Sequence, residues 1–259
     1  MKHAFFPLGL GEYLRRAQGA QWLHSPFLYD CFQTVVRHQP SEAGARIEAQ
    51  RRTLARSSEQ IRMQDYGAGG SGGLRTVRIA DLARRSARHR RDGELLLRLC
   101  RRYQPRQGLE LGVSLGFSAR YQLSGWPEMA FTGLEGDPGL AERAQQALHA
   151  EGFGGQVLPG EFTASLDRLI AAGYRPDYVL LDGNHRGAPT LEYVSRLLPL
   201  MPAGGILVLD DIRWSEDMWA AWQAVARLPE VTLSIDLLSM GLCFIRRPQA
   251  KQHVWLRRW

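Results

Sequence analysis

The sequence predicts an α/β fold with a mostly parallel sheet of seven strands, a helical N-terminal extension and a C-terminal β-hairpin. Three observations predict it. From Gln107 onward, apolar runs of four to six residues alternate with amphipathic segments of ten or more, as in βαβ units. The run Gly108-Leu109-Glu110-Leu111 passes through Gly112-Val113-Ser114-Leu115-Gly116 into a helix, a turn that brings backbone close to a ligand. A chain of 259 residues, 44% of them hydrophobic, is long enough to bury one substantial core.

The chain divides near Arg102 to Gln107, and the domain boundary is placed at 73/74, between a helical cap (1–73) and a sheet domain (74–259). Helical patterns cover Leu8 to Gln18, Pro26 to Arg37 and the polar stretch Ser41 to Arg62. The glycine-rich loop Asp65 to Gly73 follows, a linker or a lid, and then a helical run from Val77 to Tyr103. Strands are expected at Gly108–Leu111, Ala130–Leu134, Gln156–Leu158, Tyr178–Leu181 and Ile206–Leu209. Helices start between them near Ser118, Leu140, Phe162 and Pro189, and another spans Ser215 to Ala226. Two last strands, Val231–Asp236 and Leu242–Arg246, close as a hairpin around Ser239-Met240-Gly241. Five βα units and a hairpin differ from the two matched halves of a dinucleotide-binding fold. Ser114 also stands where the dinucleotide fingerprint requires glycine.

Composition narrows the class. No window approaches the roughly 18 apolar residues of a membrane span, and the N-terminal apolar run is too short for a signal peptide, so a cytoplasmic location is expected. Cys31, Cys100 and Cys243 are too far apart in sequence for a C-x-x-C metal site and suit buried thiols. The net charge is +7, and 31 of the 33 basic residues are arginine, a skew that suits codon bias better than a selected phosphate surface. The densest cluster, Arg75 to Arg106, reads as a solvated helix face, with an RNA or DNA contact as the alternative.

In open parallel sheets, ligands bind beyond the carboxyl ends of the strands. Glu135 stands at the end of the second strand, where a carboxylate can accept both hydroxyl protons of a ribose. Glu161 and Phe162 follow the third strand and suit an adenine amino group and ring, although an acid there also serves as a helix start. Asp182 follows the fourth strand and Asp210-Asp211 the fifth; three carboxylates at adjacent tips suit a hard cation such as Mg²⁺, unless one of the pair caps the next helix. His185 is the candidate base, since an imidazole can take a proton from a hydroxyl. Trp214, Trp219 and Trp222 read as packing.

With these residues in place, Gly108 to Arg246 resembles the class I S-adenosylmethionine-dependent methyltransferases. Glu110-Leu111-Gly112-x-x-x-Gly116 matches that family's cofactor loop and Glu135 its ribose acid, while Asp182-Gly183 with Asp210-Asp211 resembles the metal-dependent O-methyltransferases of the catechol and sugar types. His24-Ser25-Pro26-Phe27, Asp65 to Gly69, Asp182 to Arg186 and the tail Gln249 to His253 resemble a bacterial subgroup of these enzymes.

The resemblance implies a Rossmann-like class I sheet and methyl transfer to a hydroxyl of a small molecule, assisted by Mg²⁺ or another divalent cation. It implies cofactor contacts from Glu110, Gly112, Ser114, Gly116, Ser118, Glu135, Glu161 and Phe162, metal ligands Asp182, Asp210 and Asp211, and catalysis by Asp182 and His185. In the sugar type a second aspartate, the base, stands where this chain has Asn184; an amide cannot act so, which moves His185 forward. An RNA methyltransferase or nucleic-acid-binding protein using the arginine cluster, and a nucleoside-binding module without catalysis, are the alternatives. A homodimer is compatible with the chain and no membrane partner is expected.

Overall fold

Start signals set most helix boundaries in the computed structural model, which describes residues 5–64, 73–85, 90–246 and 250–258. Helix α1 (Phe5–Arg16) precedes α2 (Pro26–Cys31), which Ser25 caps by accepting the Leu28 amide at 3.4 Å, with Pro26 in the first turn. Ser25-Pro26 of the His24-Ser25-Pro26-Phe27 motif thus acts here as a helix start. Ser41 caps α3 (Glu42–Leu54) through the Gly44 amide.

The polar helix expected to Arg62 stops at Leu54, and Gln60–Gln64 forms strand β1, antiparallel to β2 (Leu74–Arg78). Alternation decides this: Met63 packs into the core together with the partly buried Ile61 and Val77, whereas a helix would scatter them. Residues 65–72 of the glycine-rich loop, like Gln249 of the tail motif, lie outside the described residues. The expected Val77–Tyr103 helix is instead the end of β2, then α4 (Ile79–Arg85) and α5 (Arg90–Tyr103).

Regular βα alternation follows: β3 (Gln107–Leu111), α6 (Phe117–Gly125), β4 (Ala130–Glu135), α7 (Pro138–Ala150), β5 (Gln156–Pro159), α8 (Phe162–Ala171), β6 (Tyr178–Leu181), α9 (Gly187–Leu197), β7 (Ile206–Leu209), α10 (Glu216–Arg227), β8 (Leu233–Asp236), β9 (Gly241–Phe244) and β10 (Gln252–Trp255).

The large sheet is mostly parallel and has eight strands, one more than expected. The addition is β10, paired in parallel with β8 so that Gln252 faces Leu233 and Trp255 faces Asp236. Its exposed first residues disguise it in sequence. The chain forms two compact units, residues 1–37 with 174–259 and residues 38–173, a division that falls within the expected N-terminal cap, at Arg37. In the first unit the strands run β10-β8-β9-β7-β6, with β9 antiparallel to both neighbours; in the second they run β3-β4-β5, all parallel. Among the described residues no helix is long and apolar enough to cross a membrane.

In the second unit, α5 and α6 pack closely because both carry glycine at the crossing. A Cβ on Gly93 would enter the Tyr121 ring, and one on Gly125 would enter the backbone carbonyl of Leu97. Since a backbone carbonyl cannot swing away, Gly125→Ala is expected to cost about 1–3 kcal/mol, read as a lower denaturant midpoint at unchanged m. The three cysteines are buried thiols, and burial pushes the Cys243 thiol up.

Candidate functional site

The turn after β3 alternates hand. Gly112 (φ 94°), Ser114 (φ 50°) and Gly116 (φ 78°) are left-handed, and Ser114 adopts this conformation although it carries a Cβ. Gly116 is the N-cap of α6, and a Cβ there would lie 3.4 Å from the Cα and Cβ of Ala144 on α7. The turn is held from β4: the Leu134 carbonyl accepts the Gly112 amide at 2.9 Å, and Glu135 Oε2 accepts the Ser114 amide at 2.7 Å. Glu135 Oε1 accepts the Asp137 amide at 3.0 Å, and Asp137 in turn caps α7 through the Leu140 amide.

Glu135 is 9% exposed. Burial pushes its carboxyl up, opposed by the amides of Asp137, Ser114 and Gly136. A carboxylate offers about four lone-pair sites, so two amide bonds leave acceptor capacity for a ligand's hydroxyls.

The other expected cofactor residues divide. Glu110 is fully buried and its oxygens are engaged by Ser118 Oγ and, at 2.7 Å, by Gln122 Nε2. Glu110 and Ser118 thus tie β3 to α6 from inside. The reason is helical spacing: Ser118 and Gln122, four residues apart, project from one face of α6. Glu161 is exposed and caps α8, accepting the Thr163 amide at 3.0 Å and the Ala164 amide at 2.8 Å, while half-buried Phe162 opens that helix.

In the first unit, Leu181 of β6 pairs with Leu209 of β7, so Asp182 and Asp210 follow at adjacent tips. The Asp210 amide donates to the Leu181 carbonyl at 3.0 Å. Asp211 is left-handed (φ 50°), and its Oδ2 lies 3.8 Å from His185 Nε2. The His185 ring packs against the Trp214 indole with centroids 5.5 Å apart, and Trp214 is 38% exposed. Asn184 is also left-handed (φ 64°), and the Asp217 carboxylate accepts the Gly187 amide at 2.5 Å, fixing where the 182–187 loop enters α9. As they stand, Asp182, Asp210 and Asp211 do not form an oxygen cage: among the described residues, no three or more His, Cys, Asp or Glu are grouped to hold a metal ion.

Sequence reading did not single out Asp217, Arg213 or Asp236. Arg213 and Asp236 form a buried pair behind the Asp210-Asp211 turn, with Nη1–Oδ1 at 2.7 Å and Nη2–Oδ2 at 2.8 Å. The available signal was an arginine set in an apolar, tryptophan-rich stretch.

Residues 109–212, which hold both the left-handed turn and the acid-bearing strand tips, match the model of a family described as a methyltransferase domain. That stretch, from within β3 to just past β7, is what the chain shares with the family. No curated protein sequence matches the chain. Among solved structures, the SAH-bound methyltransferase PaMTH1 of Podospora anserina superposes with a TM-score of 0.59 at 16% identity, covering 86% of this chain and 97% of that one. The O-methyltransferase TomG of Streptomyces achromogenes, in complex with SAM, gives 0.57 at 18% identity over 85% and 95% of the two chains. An O-methyltransferase of Bacillus cereus in complex with SAH gives 0.54 at 14% identity over 83% and 95%. At these identities the likeness is one of fold, a Rossmann-like α/β architecture.

Proposed function

We propose that this protein is a methyltransferase that transfers a methyl group from S-adenosylmethionine to a hydroxyl oxygen of a small molecule. The observation that carries the reading is the left-handed turn Gly112–Gly116 held against Glu135 through the Ser114 amide at 2.7 Å. The turn provides a close backbone approach for a nucleoside, and Glu135 has acceptor capacity for two ribose hydroxyls. Glu161 and Phe162, at the next strand end, flank the adenine in this reading, with Glu110 and Ser118 bracing the turn from within. The structural neighbours bound to SAM or SAH lend the donor its support.

The donor, when bound, supplies a sulfonium methyl that is already activated, so no covalent protein intermediate is needed. The chain's task is to hold the hydroxyl in line and take its proton. Asp182 orients the acceptor, His185 accepts the proton, and Asp211, 3.8 Å away, steadies the imidazolium that results. Divalent-metal assistance is supported by the adjacent tips carrying Asp182 and Asp210. Rates measured with Mg²⁺ and with a chelator test that part.

Calorimetric titration with S-adenosylhomocysteine tests the donor, and labelled methyl transfer onto catechols, sugars and other hydroxylated metabolites tests the acceptor. A folded protein that binds no S-adenosylhomocysteine overturns the reading. RNA binding that weakens steeply with salt would redirect the acceptor class, and donor binding without turnover on a broad panel would favour a non-catalytic module. His185→Ala is expected to lower kcat by about 10²–10⁴-fold with S-adenosylhomocysteine affinity unchanged.

A further inference from the structure

The turn that carries Asp210 and Asp211 is fastened from behind by a charged pair buried among aromatic rings. Arg213, two residues past Asp211, is 2% exposed and Asp236 is fully buried. Both guanidinium Nη atoms bond the Asp236 carboxylate, and Nη1 also donates to the Leu238 carbonyl at 2.9 Å. The guanidinium carbon lies 4.2 Å from the Trp219 ring centroid, 4.9 Å from that of Trp255 and 5.5 Å from that of Tyr13. Between Asp211 and Arg213, the Ile212 amide donates to the Ser239 carbonyl at 3.1 Å, so the turn is fixed to the β8–β9 connection at two successive residues.

The N-terminal helix completes the clamp. Gly9 of α1 sits on the Arg213 stem so closely that a Cβ there would lie 2.9 Å from Cδ. Tyr13 of α1 donates its hydroxyl to the Leu256 carbonyl just past β10, and burial followed by the Asp236 charge pushes that hydroxyl up, so it remains a donor. A buried ion pair is often no more stabilising than apolar residues of similar volume, so an arginine at this position is better explained by what it fixes in place.

We propose that Arg213 is a positioning residue for the Asp210-Asp211 turn, and that helix α1 acts on the candidate active site through it. Arg213 touches no reacting group; with its two nitrogens and its stem fixed, the backbone two residues earlier is set, and with it Asp211, which faces His185. This rests on the methyl-transfer reading only for its kinetic consequence.

The test is the double variant Arg213→Met/Asp236→Leu, which removes both charges and leaves neither partner buried alone. The expected result is a folded protein with wild-type S-adenosylhomocysteine affinity by calorimetry and amide exchange over residues 210–214 about tenfold faster or more. In turnover, kcat falls about tenfold or more while the KM for the donor is unchanged. Exchange and kcat both within about twofold of wild type would overturn the proposal. If the wild-type protein itself transfers no methyl group, the functional reading fails while the exchange comparison still decides the positioning claim. Should the double variant not fold, Gly9→Ala, which presses on the Arg213 stem and leaves the charge pair intact, is measured by the same exchange, with faster exchange supporting the clamp and unchanged exchange overturning it.

Discussion

Glu135→Gln is expected to weaken S-adenosylhomocysteine binding by about 2–3 kcal/mol, roughly 30- to 150-fold in Kd. The wild-type carboxylate spends one oxygen on the Ser114 amide and the other on the Asp137 amide. Glutamine has only one acceptor oxygen; its NH₂ would face one of those amides, and no second acceptor would remain for a ribose hydroxyl. Stability should move in the opposite direction as pH rises. Burial raises the Glu135 carboxyl above its usual range, so the fold favours the protonated form. The stability this confers is complete below the unfolded-state pKa and is lost as pH rises through the higher folded-state value, beyond which the buried charge is a cost.

Glutamine is neutral throughout, so wild type should lose stability relative to Glu135→Gln as pH rises from the usual carboxylate range through the higher folded-state value. Urea midpoints of both proteins measured across that range check the slope, and parallel pH profiles would show that the group titrates alike in both states. A site residue held at some cost to the ligand-free fold is what ligand binding at that residue predicts.

The contrast between Glu135 and Glu110 shows where sequence reading reaches its limit. Both are acids at ends of adjacent strands, and sequence placed both at the cofactor. Glu135 lies at the last position of β4, and its carboxylate meets the turn after β3 through the Ser114 amide. Glu110 precedes the last residue of β3 and points where α6 packs, and its burial became visible only once Ser118 and Gln122 of that helix were in place. The βα alternation from β3 to β7 was legible because nearly every residue of β3, β4, β6 and β7 is buried and a polar turn follows. Strand β10 was not, since its pairing partner lies about twenty residues back and half of it faces water. Gln60–Arg62 of β1 and Val77–Arg78 of β2 fit the helical pattern because exposed Gln60, Arg62 and Arg78 suit a helix surface as well as the outer face of a strand.

Arg213→Ala should have the largest effect on stability, about 3–5 kcal/mol, because it leaves the Asp236 carboxylate buried without its cation. Against a total of about 5–15 kcal/mol for a domain, that loss leaves the variant marginal at physiological temperature. Part of the cost comes from the three aromatic faces around the guanidinium, at about 0.5–2 kcal/mol each where desolvated. Asp236→Ala should cost a similar amount, since it leaves the opposite charge stranded and also removes the acceptor for the Leu238 amide at 3.0 Å.

The two losses should not add. Arg213→Met/Asp236→Leu should be far more stable than the sum of the single variants, with a coupling of about 1–3 kcal/mol, because what each single variant pays for is mainly the unpaired partner. Arg213→Lys keeps the charge but cannot reproduce two parallel bonds to Asp236, and its midpoint should fall between wild type and Arg213→Ala. Additive single losses in a double-mutant cycle would mean that Arg213 contributes by packing its stem against Gly9 and Trp219 rather than through Asp236. The clamp on the Asp210-Asp211 turn would then depend on the shape of the side chain, not on its charge.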